Sequence, residues 1–256
     1  MKRIFALGLA ALALATTGCL QLESAAVIDK DGSGTLDITY TVPLDVEEAI
    51  KELSTLDAGK DQDMGMPPLF DDGFDISEMK SELTPLGVKV KDYTNGVENG
   101  SRVIRMSLAF DDIDGLQAAL ESAGGSDGAM GLRRLPDGNY YFGEVETAGT
   151  YDEEEDDYEE IMPDMDDMED MEDMGAAMKN VARSMELMGV LMSRADEMII
   201  SWRITVPGDI IRHNAQQVEG RTCVWKLDSS GMMSGDMDAP EIVFSGEGLK
   251  IKAPEK

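Results

Sequence analysis

Alternation of apolar and polar residues is the strongest pattern along the chain. Between residues 35 and 42, Leu36, Ile38, Tyr40 and Val42 fall on one face and Asp37, Thr39 and Thr41 on the other, the period of a half-buried strand. Residues 20–29 precede it across a Gly-rich turn, and the two predict a hairpin. Residues 88–93 and 102–110 predict a second, with Asn95-Gly96 and Asn99-Gly100 as turn signals. Residues 132–135 and 140–147 flank Pro136-Asp137-Gly138-Asn139, another turn sequence. Towards the C-terminus, Ile200, Trp202, Ile204 and Val206 share a face, as do Cys223, Trp225 and Leu227; 242–244 and 249–251 are shorter strand candidates.

Helical spacing appears between these runs, at 45–53, 77–83 and 111–122. The last has Asp111 or Asp112 as its N-cap and Gly124-Gly125 as its stop. Residues 55–75, rich in Gly, Pro and Asp, read as loop, and 175–198 as mostly helix. Hairpins on both sides of a few helices imply an α+β fold, a largely antiparallel sheet with helices packed on it. The expected organisation is a signal peptide at 1–18 and one domain begun by 19–150. An acidic, low-complexity, partly disordered insert at 151–175 interrupts it, and 176–256 completes it.

Charge narrows the function. The 256 residues carry a formal net charge of −30, which excludes a nucleic-acid binder, since that needs a basic face. Two Cys exclude a disulfide framework or a Cys-rich zinc site, and one His excludes a His cage. Residues 151–174 hold 15 Asp and Glu and no basic residue. Repulsion among these carboxylates opposes compaction.

The N-terminus supplies an address. Lys2 and Arg3 precede twelve residues, 4–15, that are apolar or Gly. That is too short for a bilayer span of about 20 residues and fits a secretory signal. The run ends Thr16-Thr17-Gly18-Cys19. Gly18-Cys19 resembles the lipobox of bacterial lipoproteins, with Thr16 where that family usually has Leu. The resemblance implies acylation of Cys19, cleavage before it and anchoring in a membrane; Leu20 then implies the outer membrane in a Gram-negative cell. The other reading is ordinary cleavage after Ala13-Leu14-Ala15, which leaves Cys19 free to pair with Cys223.

The stretch Ile200-Ser-Trp-Arg-Ile-Thr-Val-Pro207-Gly208, then residues 214–220, then Thr222-Cys-Val-Trp-Lys-Leu227 resembles a family of bacterial envelope lipoproteins that includes the mycobacterial lipoprotein M. The hairpin turn Gly32-Ser33-Gly34 after the lipobox also fits. The resemblance covers about a quarter of the chain and rests on turns and strands. It implies an anchored domain associated with envelope lipids or glycolipids; the acidic Met-rich insert is no part of that pattern.

Three groups of residues could carry chemistry. Asp29, Asp31, Ser33 and Asp37 match early positions of a calcium-binding loop with Gly34 at the bend, but Tyr40 stands where a bidentate Glu belongs and the flanks read as strands. The alternative is a solvated hairpin tip. Met162, Met165 and Met168, spaced by three among carboxylates, offer thioethers of the kind that suit Cu(I). Met178, Val181, Met185, Met188 and Met192 follow alternating steps of 3 and 4 and form one helical stripe, an apolar face for core, partner or ligand packing. His213 has no second His, and no nucleophile, P-loop or zinc-protease motif exists. Cys223 reads as a buried thiol. The expectation is a non-catalytic envelope lipoprotein, membrane-attached, whose sheet and Met-faced helix enclose a site for a lipid, glycolipid or partner helix. A metal-binding lipoprotein for Cu(I) or Ca2+ is the alternative.

Overall fold

A computed structural model describes residues 20–56, 74–122, 130–144, 171–234 and 239–252. In chain order the described elements are β1 (Gln21–Ile28), β2 (Gly34–Pro43), α1 (Leu44–Thr55), α2 (Ile76–Leu83), β3 (Val88–Glu98), β4 (Ser101–Phe110), α3 (Ile113–Ser122), β5 (Met130–Arg134) and β6 (Tyr140–Glu144). They continue with α4 (Met171–Arg194), β7 (Ile199–Thr205), β8 (Ile210–His213), β9 (Gln217–Glu219), β10 (Thr222–Asp228), α5 (Ser229–Ser234) and β11 (Ile242–Phe244).

The alternating strands pair as the pattern predicts. β1 and β2 run antiparallel from Gln21 opposite Thr41 to Ile28 opposite Gly34. Leu36, Ile38, Tyr40 and Val42 are buried on the inner face. β3 and β4 meet at Asn99-Gly100, both with positive φ (50° and 81°). That is what a two-residue type I′ hairpin needs for its twist to match the strands. Asn95-Gly96, the other turn candidate, lies within β3, opposite Ile104 and Val103. Asp112 is the residue that caps α3, its Oδ1 accepting from the Gly115 amide at 3.0 Å. Asp75 does the same for α2 through the Ser77 amide at 2.8 Å.

The expected α+β class holds, but the strands divide into two sheets. One has seven strands in the order β3-β4-β2-β1-β7-β10-β9, the other four in the order β5-β6-β11-β8. Among the described strands all pairs are antiparallel except β1 with β7, which run parallel in register from Gln21 beside Ile199 to Val27 beside Thr205. Thus the first and a late strand are neighbours at the centre of the large sheet. The main core fills the space between the sheets and α3, with Leu36, Leu108, Phe110, Leu116, Leu132, Phe142, Ile242 and Phe244 almost fully buried. Residues 249–251 do not form a strand. Ile251 is nonetheless buried; its carbonyl accepts from the Tyr140 hydroxyl at 3.0 Å, and the neighbouring Lys250 amide donates to the Lys30 carbonyl at 2.9 Å. The C-terminal segment thereby closes the end of the core next to the β1–β2 turn. Among the described residues, no helix is long and apolar enough to cross a membrane.

A candidate binding face

α4 is 24 residues long, about 36 Å at 1.5 Å per residue. It rests on α1. Leu187 is 4% exposed and joins Ala49 and Leu53 of α1, with Leu56, Val190 and Leu191 alongside. Ion pairs flank this apolar contact. Arg194 donates to Asp45 at 3.0 Å, and Arg183 donates through Nε to Glu52 at 2.6 Å and through Nη1 to Glu186 at 2.8 Å. Since Arg194 meets the start of α1 and Arg183 its later part, the two helices are antiparallel. Hydrogen bonds from Arg183 hold the Glu52 carboxyl below its usual pKa, and those to Glu52 and Glu186 raise the guanidinium's. These exposed pairs set register more than they add stability.

The Met stripe lies on the other side of this helix. Met178, Val181, Met185, Met188 and Met192 are between 46% and 71% exposed. At about 100° per residue their centre lies roughly 140° round the helix from Leu187. The expected enclosure of a site between the sheet and the Met face is therefore corrected: the stripe faces away from the domain. Residues 171–194 carry two apolar stripes, and the periodicity alone ranks the longer one first. Leu187, Val190 and Leu191 win because Arg183 and Arg194 border them, placed to meet Glu52 and Asp45 on α1. Ala182 and Gly189 fall on the outward side between the methionines, and nothing lies within 4 Å of where a Gly189 side chain would begin.

The other candidates are placed as follows. Asp29, Asp31 and Ser33 lie in the turn between β1 and β2, whereas Asp37 sits in β2 between Ala25 and Ser107. Asp31 accepts from the amide and hydroxyl of Ser33 at 3.2 and 2.7 Å, and these bonds lower its pKa. Gly32, at φ 94°, turns the chain against Ile251. Among the described residues no three His, Cys, Asp or Glu side chains gather as a metal site requires. His213 ends β8, an edge strand, and is exposed. Cys223 is fully buried, and burial pushes its thiol up to about 11. Cys19, Met162, Met165 and Met168 lie outside the described residues. Leu20, bonded to Cys19, accepts through its carbonyl from the Ile199 amide at 3.0 Å.

Sequence reasoning missed a buried carboxylate. Glu47 of α1 is 4% exposed and accepts from Arg102 Nε at 2.7 Å, with Lys51 at 3.1 Å. Burial alone would raise its pKa, but Arg102 and Lys51 outweigh it and hold the carboxyl below its usual value. The pair fixes α1 to β4, which makes it part of the platform that presents α4. The only sequence signal was an acidic residue next to Val46 on the buried side of a helix.

No protein-family model and no curated relative matches the chain. Among solved structures it is similar to the NMR structure of the folded domain of Mycobacterium tuberculosis LppM, with 12% identity over 90% of this chain and 91% of that one and a TM-score of 0.39.

Proposed function

We propose that this is a lipid-anchored protein of the cell envelope, attached through Cys19 and facing an extracytoplasmic space. Its role is binding or structural and not catalytic, and its binding face is the Met178–Met192 stripe. The observation that supports this reading is the exposure of five apolar residues along one face of a helix whose opposite face is already docked. Contiguous exposed apolar patches mark interaction sites, and unbranched, polarisable Met adapts to varied apolar surfaces. A full Met or Val burial is worth about 1.5–3 kcal/mol. Covering the exposed parts of five such side chains is worth on the order of 5 kcal/mol, which association entropy largely offsets for a freely diffusing partner. Attachment of both partners to one membrane raises their effective concentration and makes so modest a face sufficient.

Photo-crosslinking in living cells tests the reading. A benzophenone residue at Met185 is expected to capture a lipid or a protein, whereas one at Asp37, also exposed, captures neither. Equal labelling patterns at the two positions would refute the binding face. Mass spectrometry of the mature N-terminus tests the anchor: acyl mass on Cys19 is expected, and a free Cys19 would refute attachment.

A further inference from the structure

If Cys19 carries the lipid, only Leu20 separates the anchor from β1. Leu20 is already bound into the large sheet through the Ile199 amide at 3.0 Å. There is thus no tether, and one end of the sheet is forced to the membrane. The pairing registers identify that end. Gln21 is opposite Thr41 and beside Ile199, and Thr41 is opposite Val103, whose other neighbour is Gly96. The end of the sheet at Cys19 therefore holds the β3–β4 turn, the junction of β2 with α1, and the start of β7. Three apolar residues are exposed there on three different elements: Val97 (57%) before the turn, Leu44 (37%) at the first position of α1, and Ile199 (36%) at the first position of β7. Single exposed apolar residues mean little. Their gathering at the one end that a lipidated Cys19 would hold against a bilayer is the observation.

The charge at this end says which lipid. Its arginines are each committed to carboxylates: Arg102 to Glu47, Arg105 to Glu98 at 2.6 Å, and Arg194 to Asp45 and Glu197. Among the described residues no basic cluster is left at this end to attract anionic headgroups, and a chain of net charge −30 is repelled by them. We infer that the end formed by Val97, Leu44 and Ile199 rests in the headgroup region of a zwitterionic lipid surface and holds the domain upright, with the β1–β2 turn about 25 Å away at the far end of the eight-residue β1. The inference rests on the lipid anchor of the proposed function.

Spin labels test it. The full chain is expressed in a bacterium that processes lipoproteins, purified from membranes and reconstituted into phosphatidylcholine vesicles. Val97→Cys, Leu44→Cys, Ile199→Cys and, as the distal control, Lys30→Cys are labelled one at a time; Cys223 is fully buried and does not compete. At 97, 44 and 199 the label is expected to collide more with dissolved oxygen than with a water-soluble nickel chelate, and at 30 the reverse. Three positions on separate elements guard against one variant that distorts its surroundings. A chain that carries lipid and floats with the vesicles, yet shows the water-exposed pattern at 97, 44 and 199, would overturn the inference and leave the anchor standing. Immobilised labels with no preference for oxygen would overturn it in favour of a protein neighbour. Absence of lipid on Cys19, seen by mass spectrometry, would overturn both.

Discussion

The assignment of inner and outer faces to α4 can be tested with two neighbouring substitutions. Leu187→Ala removes three carbons from a side chain that is 4% exposed and packed on Ala49 and Leu53. At about 0.8 kcal/mol per buried carbon the transfer loss is about 2.4 kcal/mol. The cavity adds little, because it opens between two helices at the edge of the domain and can relax, so the total is about 2–3 kcal/mol, at the low end for Leu→Ala. For a domain of this size the melting temperature falls by about 4–12 °C. Met185→Ala, 71% exposed, should cost less than about 0.5 kcal/mol. α4 packs chiefly on α1, so its loss of contact can be local. Amide hydrogen exchange is therefore the sharper assay: in Leu187→Ala the amides of residues 178–194 should lose protection while those of β4 keep theirs, and in Met185→Ala both should be unchanged. If Met185→Ala destabilised α4 as much as Leu187→Ala, the helix would pack through its Met stripe and the outward binding face would be wrong.

Glu47→Gln should lower stability at pH 7 by about 1–3 kcal/mol through loss of its charge-assisted bonds. Because the folded pKa of Glu47 lies below its ordinary 4.5, its contribution is present above that value and is lost as pH falls through the folded pKa. Denaturant midpoints between pH 5 and 3 should drop more steeply in the wild type than in Glu47→Gln, and parallel profiles would refute this. The Cys223 thiol, pushed up to about 11 by burial, should resist alkylation at pH 8 in the folded protein and react on unfolding. A chain acylated at Cys19 should then show one titratable thiol, and two would mean no lipid there. Gly34→Ala should cost about 3 kcal/mol or more, since a side-chain carbon at Gly34 would stand 1.9 Å from the Val27 carbonyl and 2.5 Å from the Phe110 ring; a near-wild-type melting curve would refute the tight β1–β2 entry.

Strands with a buried and a solvated face could be read from the chain because period two is unambiguous: β2, β4, β7 and β10 all show it. What could not be read, beyond the hairpins, was the partnership of strands far apart in the chain. The parallel pairing of β1 with β7 joins residues about 180 positions apart in the chain, and no local pattern encodes a neighbour at that distance. The split into two sheets was hidden for a related reason. β8, which ends the small sheet, is four residues long and mostly exposed, so it has no alternating face to announce it. The turn in β3–β4 was legible only as a pair of choices: Asn95-Gly96 and Asn99-Gly100 have the same composition, and the pairing of Val97 with Arg102 and Glu98 with Ser101 is what selects the second. Likewise Asp111 and Asp112 are equivalent as caps until the Gly115 amide finds one of them.

α4 shows why the proposed binding face was only half legible. A helix repeats every 3.6 residues, so an apolar stripe is visible in the sequence, but its direction is not; direction depends on what the neighbouring element offers. Here α1 presents Asp45 and Glu52 along one side of Ala49 and Leu53, and only the stripe bordered by Arg194 and Arg183 can satisfy both the charges and the apolar surface at once. The Met stripe has no such border. It is the stripe left over when the helix docks, and that is also why it remains available. In a chain this acidic, a face of five apolar side chains without a carboxylate among them can be covered by an apolar partner without desolvating a charge. The ion pairs thus decide which face of α4 is left outward: reversing the charge at Arg183 or Arg194 would loosen the choice between the two faces.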